Sequence, residues 1–103
     1  MKITMKITDV ELSEGVSQRT GNTWRRVKML LEKPGMFPQR AQLDVLDSSE
    51  GYTKLQRFNL QPGMIKTFYL RFSLSEWNGK QITNIDVMNV VDATERELND
   101  QEL

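Results

Sequence analysis

No cysteine and no histidine occur among these 103 residues. Without cysteine there is neither a disulfide framework nor a thiolate to hold a metal. Without histidine the commonest general base is missing, and a zinc site would have to be built from carboxylates alone, which is unusual. No Gly-rich phosphate loop stands in for them, so the expectation is a non-catalytic protein with no cofactor and no metal. Long apolar runs are absent too, which excludes the ~20-residue apolar helix that crosses a bilayer. The opening MKITMKITDV alternates polar and apolar residues and has no apolar core of a secretory signal, so a cytoplasmic location and no membrane partner are expected. Hydrophobic residues make up only 38%, below the usual share, which points to a single domain with a thin core.

Net charge is also absent, with 14 cationic and 14 acidic side chains, but the two signs are not mixed evenly. Residues 1–91 hold thirteen of the cations and nine of the acids, a net +4. Residues 92–103 hold Asp92, Glu95, Glu97, Asp100 and Glu102 against Arg96, a net −4. The expected organisation is a basic domain over 1–91 followed by an acidic, mobile tail over 92–103, with a helical turn at most.

What is present is alternation. Ile3, Met5 and Ile7 share one face of a strand over Lys2–Leu12, while Val10 and Leu12 take the other parity, so a bulge is expected near Thr8–Asp9. The polar stretch SEGVSQRTGN reads as a loop. A second strand, Thr23–Lys33, turns Val27, Met29 and Leu31 one way and Trp24, Arg26, Lys28 and Leu30 the other. Pro34, Gly35 and Pro38 stop it, and a third strand runs Arg40–Leu46 with Leu43 and Val45 inward. The period then changes: Asp47, Ser48 or Ser49 offers an N-cap, Glu50 sits in the first turn, and Tyr52, Leu55 and Phe58 form one stripe. That predicts a helix of about eight to ten residues ended by Gln61-Pro62-Gly63. A fourth strand, Met64 to about Glu76, carries Phe68, Leu70 and Phe72 as core residues. Asn78-Gly79 is a strong hairpin signal, and a fifth strand, Gln81–Val91, returns with a parity change between Val87 and Val90.

Three strands, a helix and two strands make an all-β chain with a small inserted helix. This is the order of the OB-fold, a five-stranded, partly open Greek-key barrel with its helix between strands 3 and 4.

An ordered set of residues adds a resemblance: Gly21 and Trp24 with Arg25 and Arg26, then Phe37-Pro38, then Leu60 and Gly63, then Trp77 with Asn78-Gly79. Over roughly residues 1–91 the chain resembles a family of short bacterial and phage OB-fold proteins of unannotated function, themselves similar to single-stranded DNA-binding proteins. The chain departs from that pattern at Leu46-Asp47-Ser48 and at Gln81-Ile82, where the family carries aromatic residues. The resemblance implies binding of single-stranded nucleic acid, and an acidic tail that recruits a partner protein. A tail that merely solvates the C-terminus is the other reading.

The chemistry such binding needs is a cationic groove for phosphates and exposed rings for bases. By parity Trp24, Arg26, Lys28, Arg40 and Gln42 share the outer wall of strands 2 and 3, with Trp77 and Lys80 in the flanking hairpin and Arg25 near the other flank. Trp24 and Trp77 are the candidate stacking rings; Arg25, Arg26, Lys28, Arg40 and Lys80 are the candidate phosphate contacts. Each has a plainer reading. Trp24 would cap one end of the barrel, Trp77 would pack on Lys80, the alternating charges would be an ordinary wet strand face, and Lys54 and Arg57 would only solubilise the helix. Glu32 and Asp44 lie on the same wall and oppose the cations. The expected function is therefore non-catalytic binding of single-stranded DNA, or RNA by the same chemistry, in replication, recombination or repair. The alternative is a protein-interaction or oligomerisation module without nucleic acid, with self-association through edge strands.

Overall fold

The computed structural model describes residues 1–47 and 53–99. Its elements are β1 (Lys2–Val16), β2 (Thr23–Lys33), β3 (Gln39–Leu46), α1 (Thr53–Phe58), β4 (Ile65–Trp77), β5 (Lys80–Asp92) and α2 (Glu95–Asn99). The strands form one antiparallel sheet in the order β3-β2-β1-β4-β5. β1 is shared: Lys2–Lys6 pair with β4, and Lys6–Val16 pair with β2. The handover coincides with a bulge between Ile7 and Asp9, the place where the apolar residues change parity. A second register shift sets Tyr69/Leu70 against Asn89/Val87 and leaves Met88 as the extra residue, which is why Val87 and Val90 differ in parity. Bulges bend the strands that carry them. The edges β3 and β5 come within 8 Å of each other between Cα atoms, yet no ladder joins them among the described residues. The result is a barrel-like sheet that is not closed.

The core lies on the concave face. Met5 and Ile7, Val27, Met29 and Leu31, Leu43 and Val45, Phe68 and Val90 bury together, with Leu60 closing one end. These are the inward parities that alternation predicts on each strand. Lys66 is also buried on this face, and its Nζ donates to Asp92 at the surface, so the chain carries its charge out to a partner rather than leaving it in the core.

Four expectations need correction. β1 continues to Val16, because Thr23–Arg26 supply it with partners and the loop at 17–22 closes through Ser17 N–H to the Asn22 carbonyl, 2.9 Å, and Gly21 N–H to the Ser17 carbonyl, 2.7 Å. α1 is described over Thr53–Phe58 and stops short of Gln61-Pro62-Gly63, since Asn59 takes a left-handed φ of 52° and Leu60 N–H bonds back to the Leu55 carbonyl at 3.1 Å. Its start is served by Asp47, whose Oδ2 accepts from Lys54 N–H at 2.7 Å; Ser48, Ser49, Glu50 and Tyr52 lie outside the described residues. Phe72 is not core: it is 49% exposed, and Leu74 more so. β1 pairs with β4 only as far as Tyr69, so beyond Leu70 the β4–β5 hairpin runs on as a two-stranded arm on which Phe72 and Leu74 stay exposed. The fourth concerns the tail: over its described residues, 92–99, α2 packs on β1 with Leu98 buried. Thr94 caps that helix in a reciprocal box with Glu97: Glu97 N–H donates to Thr94 Oγ1 at 3.2 Å and Thr94 N–H to Glu97 Oε1 at 3.1 Å. No helix among the described residues is long and apolar enough to cross a membrane.

Candidate nucleic-acid interface

Because residues paired across an antiparallel ladder share a face, the register fixes the convex wall of β1, β2 and β3 row by row. Trp24 faces Gly15. Arg26 lies between Ser13 and Leu46, Lys28 between Glu11 and Asp44, and Leu30 between Asp9 and Gln42. Glu32 lies between Lys6 and Arg40. Sequence parity therefore places Trp24, Arg26, Lys28 and Arg40 correctly on one wall. The wall is nevertheless neutral: Lys6, Arg26, Lys28 and Arg40 meet Asp9, Glu11, Glu32 and Asp44 on it. Two of those acids come from β1, and only the register reveals that they sit beside the cations.

The indole of Trp24 is 37% exposed and lies over Gly15, while the Arg26 guanidinium stands 5.7 Å from the ring centroid. Arg25 has the inward parity, not that of the wall. Its Nε is 3.3 Å from Glu14, its cross-strand partner, and its side chain keeps only 17% exposure. Arg40 reaches Glu32 with both Nε, 2.9 Å, and Nη2, 2.8 Å, and it sits eight residues along β2 from the Trp24 row, about 26 Å away at strand rise. Trp24 and Arg26 thus come together, Lys28 follows in the next row, and Arg25 and Arg40 are held elsewhere by carboxylates.

The other candidates occupy the tip of the arm. Asn78 and Gly79 have φ of 51° and 76°, the left-handed pair that a two-residue type I′ hairpin requires. Trp77, 67% exposed, faces Lys80 across that turn. Trp77 shares its face with Ser75, Ser73 and Arg71, and Arg71 is paired with Asp86 at 3.3 Å.

Between the two edge strands runs a cleft of about 610 Å³. One wall is β3 from Gln42 to Leu46 with Arg26 and Lys54; the other is Ser73 with Thr83 to Val87 of the arm. Lys54, expected only to solubilise the helix, stands at this cleft and donates from Nζ to the Leu46 carbonyl at 2.9 Å. Trp24 therefore adjoins one wall through Arg26. Trp77 lies four residues beyond Ser73 on the opposite wall, about 13 Å along the same face. Gly15, Lys54, Ser73 and Asn84 are the contributors that sequence reasoning missed. The first was hidden because Gly15 lies in the stretch SEGVSQRTGN that reads as a loop, whereas β1 runs on to Val16 and pairs Gly15 with Trp24.

Comparison with protein-family models, with curated proteins and with solved structures finds no match to this chain.

Proposed function

We propose that this chain is an OB-type barrel, opened between β3 and β5, that binds single-stranded nucleic acid without catalysing a reaction on it. The strand order supports the reading: a five-stranded Greek-key barrel of this type, opened between its third and fifth strands, has the order β3-β2-β1-β4-β5, and its ligands cross strands 2 and 3 between the β1–β2 and β4–β5 loops. The observation that carries it is the cleft, whose two walls lead from Arg26 and Trp24 on one side to the Trp77 arm on the other. An exposed ring on each side with a cation beside it matches the chemistry of sequence-tolerant single-strand binding. The neutral wall implies a modest affinity that rests on stacking more than on phosphate contacts. Single-stranded DNA is the ligand we favour, with RNA as the comparison.

The two tryptophans are the only ones in the chain, so their intrinsic fluorescence reports the proposed site directly. Titration with oligothymidylate at about 50 mM salt and micromolar protein, where phosphate contacts are least screened, is expected to quench it. An unchanged spectrum at saturating oligonucleotide overturns the proposal, and oligouridylate in parallel ranks RNA against DNA.

One observation favours a second reading, a protein-interaction or self-association module. Phe72, Leu74 and Ile85 are exposed on one face of the arm, and Trp77 and Ile82 on the other. A two-stranded hairpin with both faces wet is only marginally stable, so covering this arm with protein would stabilise it.

A further inference from the structure

The contact between Gly15 and Trp24 is tighter than any other side chain at position 15 would allow. A Cβ built on Gly15 falls 2.5 Å from Cζ2, 2.7 Å from Cε2 and 3.0 Å from Nε1 of the indole, well inside van der Waals contact. Side chains on a sheet ordinarily stand away from it. Here the Nε1–Cε2–Cζ2 edge of the ring lies over Gly15, at the one place in the wall where the opposing residue has no side chain. The glycine is not there for its backbone, because its φ is outside the left-handed region; an alanine meets no conformational penalty at this position, only the ring. Arg26, two residues on and on the same face, stands 5.7 Å from the centroid, at the outer limit of a cation–π contact, and so leaves the indole lightly held on that side.

We propose that Gly15 is a positioning residue for single-strand binding: it lets the Trp24 indole lie flat on β1, presenting a ring face already ordered for an unpaired nucleobase. This rests on the nucleic-acid reading above and deepens it by naming the ligand group that meets Trp24. A ring held in place before binding loses less rotamer freedom when a base stacks on it. Adding one methyl group at position 15 lifts the ring and removes that advantage without touching any cation.

The test compares Gly15→Ala with the parent chain: emission is read in a Trp77→Phe background, where Trp24 is the sole reporter, and affinity is read with Trp77 in place. Four readouts are taken: the emission maximum and acrylamide quenching of the free protein, its melting temperature, oligothymidylate affinity by anisotropy of a labelled oligonucleotide, and the slope of log affinity against log salt. The expected result is a red-shifted, more quenchable Trp24, and an affinity lower by about five- to tenfold, within the range for losing one stacked base. The salt slope stays unchanged because no phosphate contact is lost. A Trp24→Ala variant should fall at least as far. Unchanged emission in Gly15→Ala overturns the positioning role, and shifted emission with parental affinity overturns its link to binding. A melting temperature that drops while affinity holds shows that the ring merely covers the glycine, and likewise overturns the proposal. A parent that binds no oligonucleotide by anisotropy overturns the nucleic-acid reading itself, whereas the emission shift still decides whether Gly15 seats the ring.

Discussion

Replacing Glu32 by glutamine removes the only carboxylate from the row Lys6–Glu32–Arg40 and leaves two unopposed cations at the far end of the convex wall. The structural cost is small. Glu32 meets Arg40 at the surface, with the arginine side chain 85% exposed, and exposed pairs of this kind contribute about 0–1 kcal/mol. The binding consequence is larger. In the parent, Arg26, Lys28 and Lys80 are the candidate phosphate contacts with no ion pair among the described residues, and Lys28 is already flanked by two acids. About three contacts to a single strand imply a slope of log affinity against log salt near −2, at roughly −0.7 per phosphate, so affinity falls about 20-fold between ~50 and ~200 mM salt. Freeing Arg40 and Lys6 adds one to two contacts, steepens the slope by about 0.7–1.4 and raises affinity at low salt. Fluorescence titrations of parent and Glu32→Gln at four salt concentrations, with a thermal melt of each, measure both effects. Parallel lines for the two proteins would refute the expectation that a bound strand reaches the cations freed at Lys6 and Arg40. A flat line for the parent would refute the phosphate contribution altogether.

Two further outcomes concern stability. Leu98→Ala is expected to cost about 2–3 kcal/mol in urea unfolding, because the side chain of this short helix is buried against the sheet; a change near zero would mean that α2 does not stay docked. Phe68→Ala should cost about 3–5 kcal/mol, whereas Phe72→Ser, at a half-exposed site on the same strand face, should cost under about 1 kcal/mol. If the arm is covered by a second copy, the double variant Phe72→Ser, Leu74→Ser shifts the light-scattering mass toward monomer at micromolar concentration. An unchanged mass would remove that reading.

The local features of this fold were legible because each has a short-range physical cause. Parity alone located both bulges, since a residue that changes face without a turn requires an extra residue in the ladder. The bounds of β2 followed from Pro34 and the polar loop before Thr23, and the Asn78-Gly79 turn from the two left-handed positions it needs. Phe72 shows where such reasoning stops. Alternation establishes that Phe68, Leu70, Phe72 and Leu74 share a face, but whether anything covers that face depends on how far β1 accompanies β4, and their ladder runs only from Ile65 to Tyr69, short of Phe72. Arg25 and Arg40 show the same limit for charge. Each reads in sequence as an available cation, yet each is claimed by a carboxylate eight or more residues away that only the ladder brings opposite.

This pairing of charges has a consequence for how the site would work. A chain segment of net +4 would be expected to grip a polyanion mainly through its charge, but on the wall proposed to meet the ligand four cations are matched by four acids, and Lys66 is spent on Asp92 on the inner face of the sheet. Salt screens what charge attraction remains, since these groups lie exposed to solvent. Stacking is not cancelled in this way, because an indole has no opposite sign to meet. If the chain binds a single strand, the rings at the two sides of the cleft must therefore outrank the cations. Loss of Trp24 or Trp77 would weaken binding more than loss of any single lysine or arginine on the wall, and most clearly at high salt.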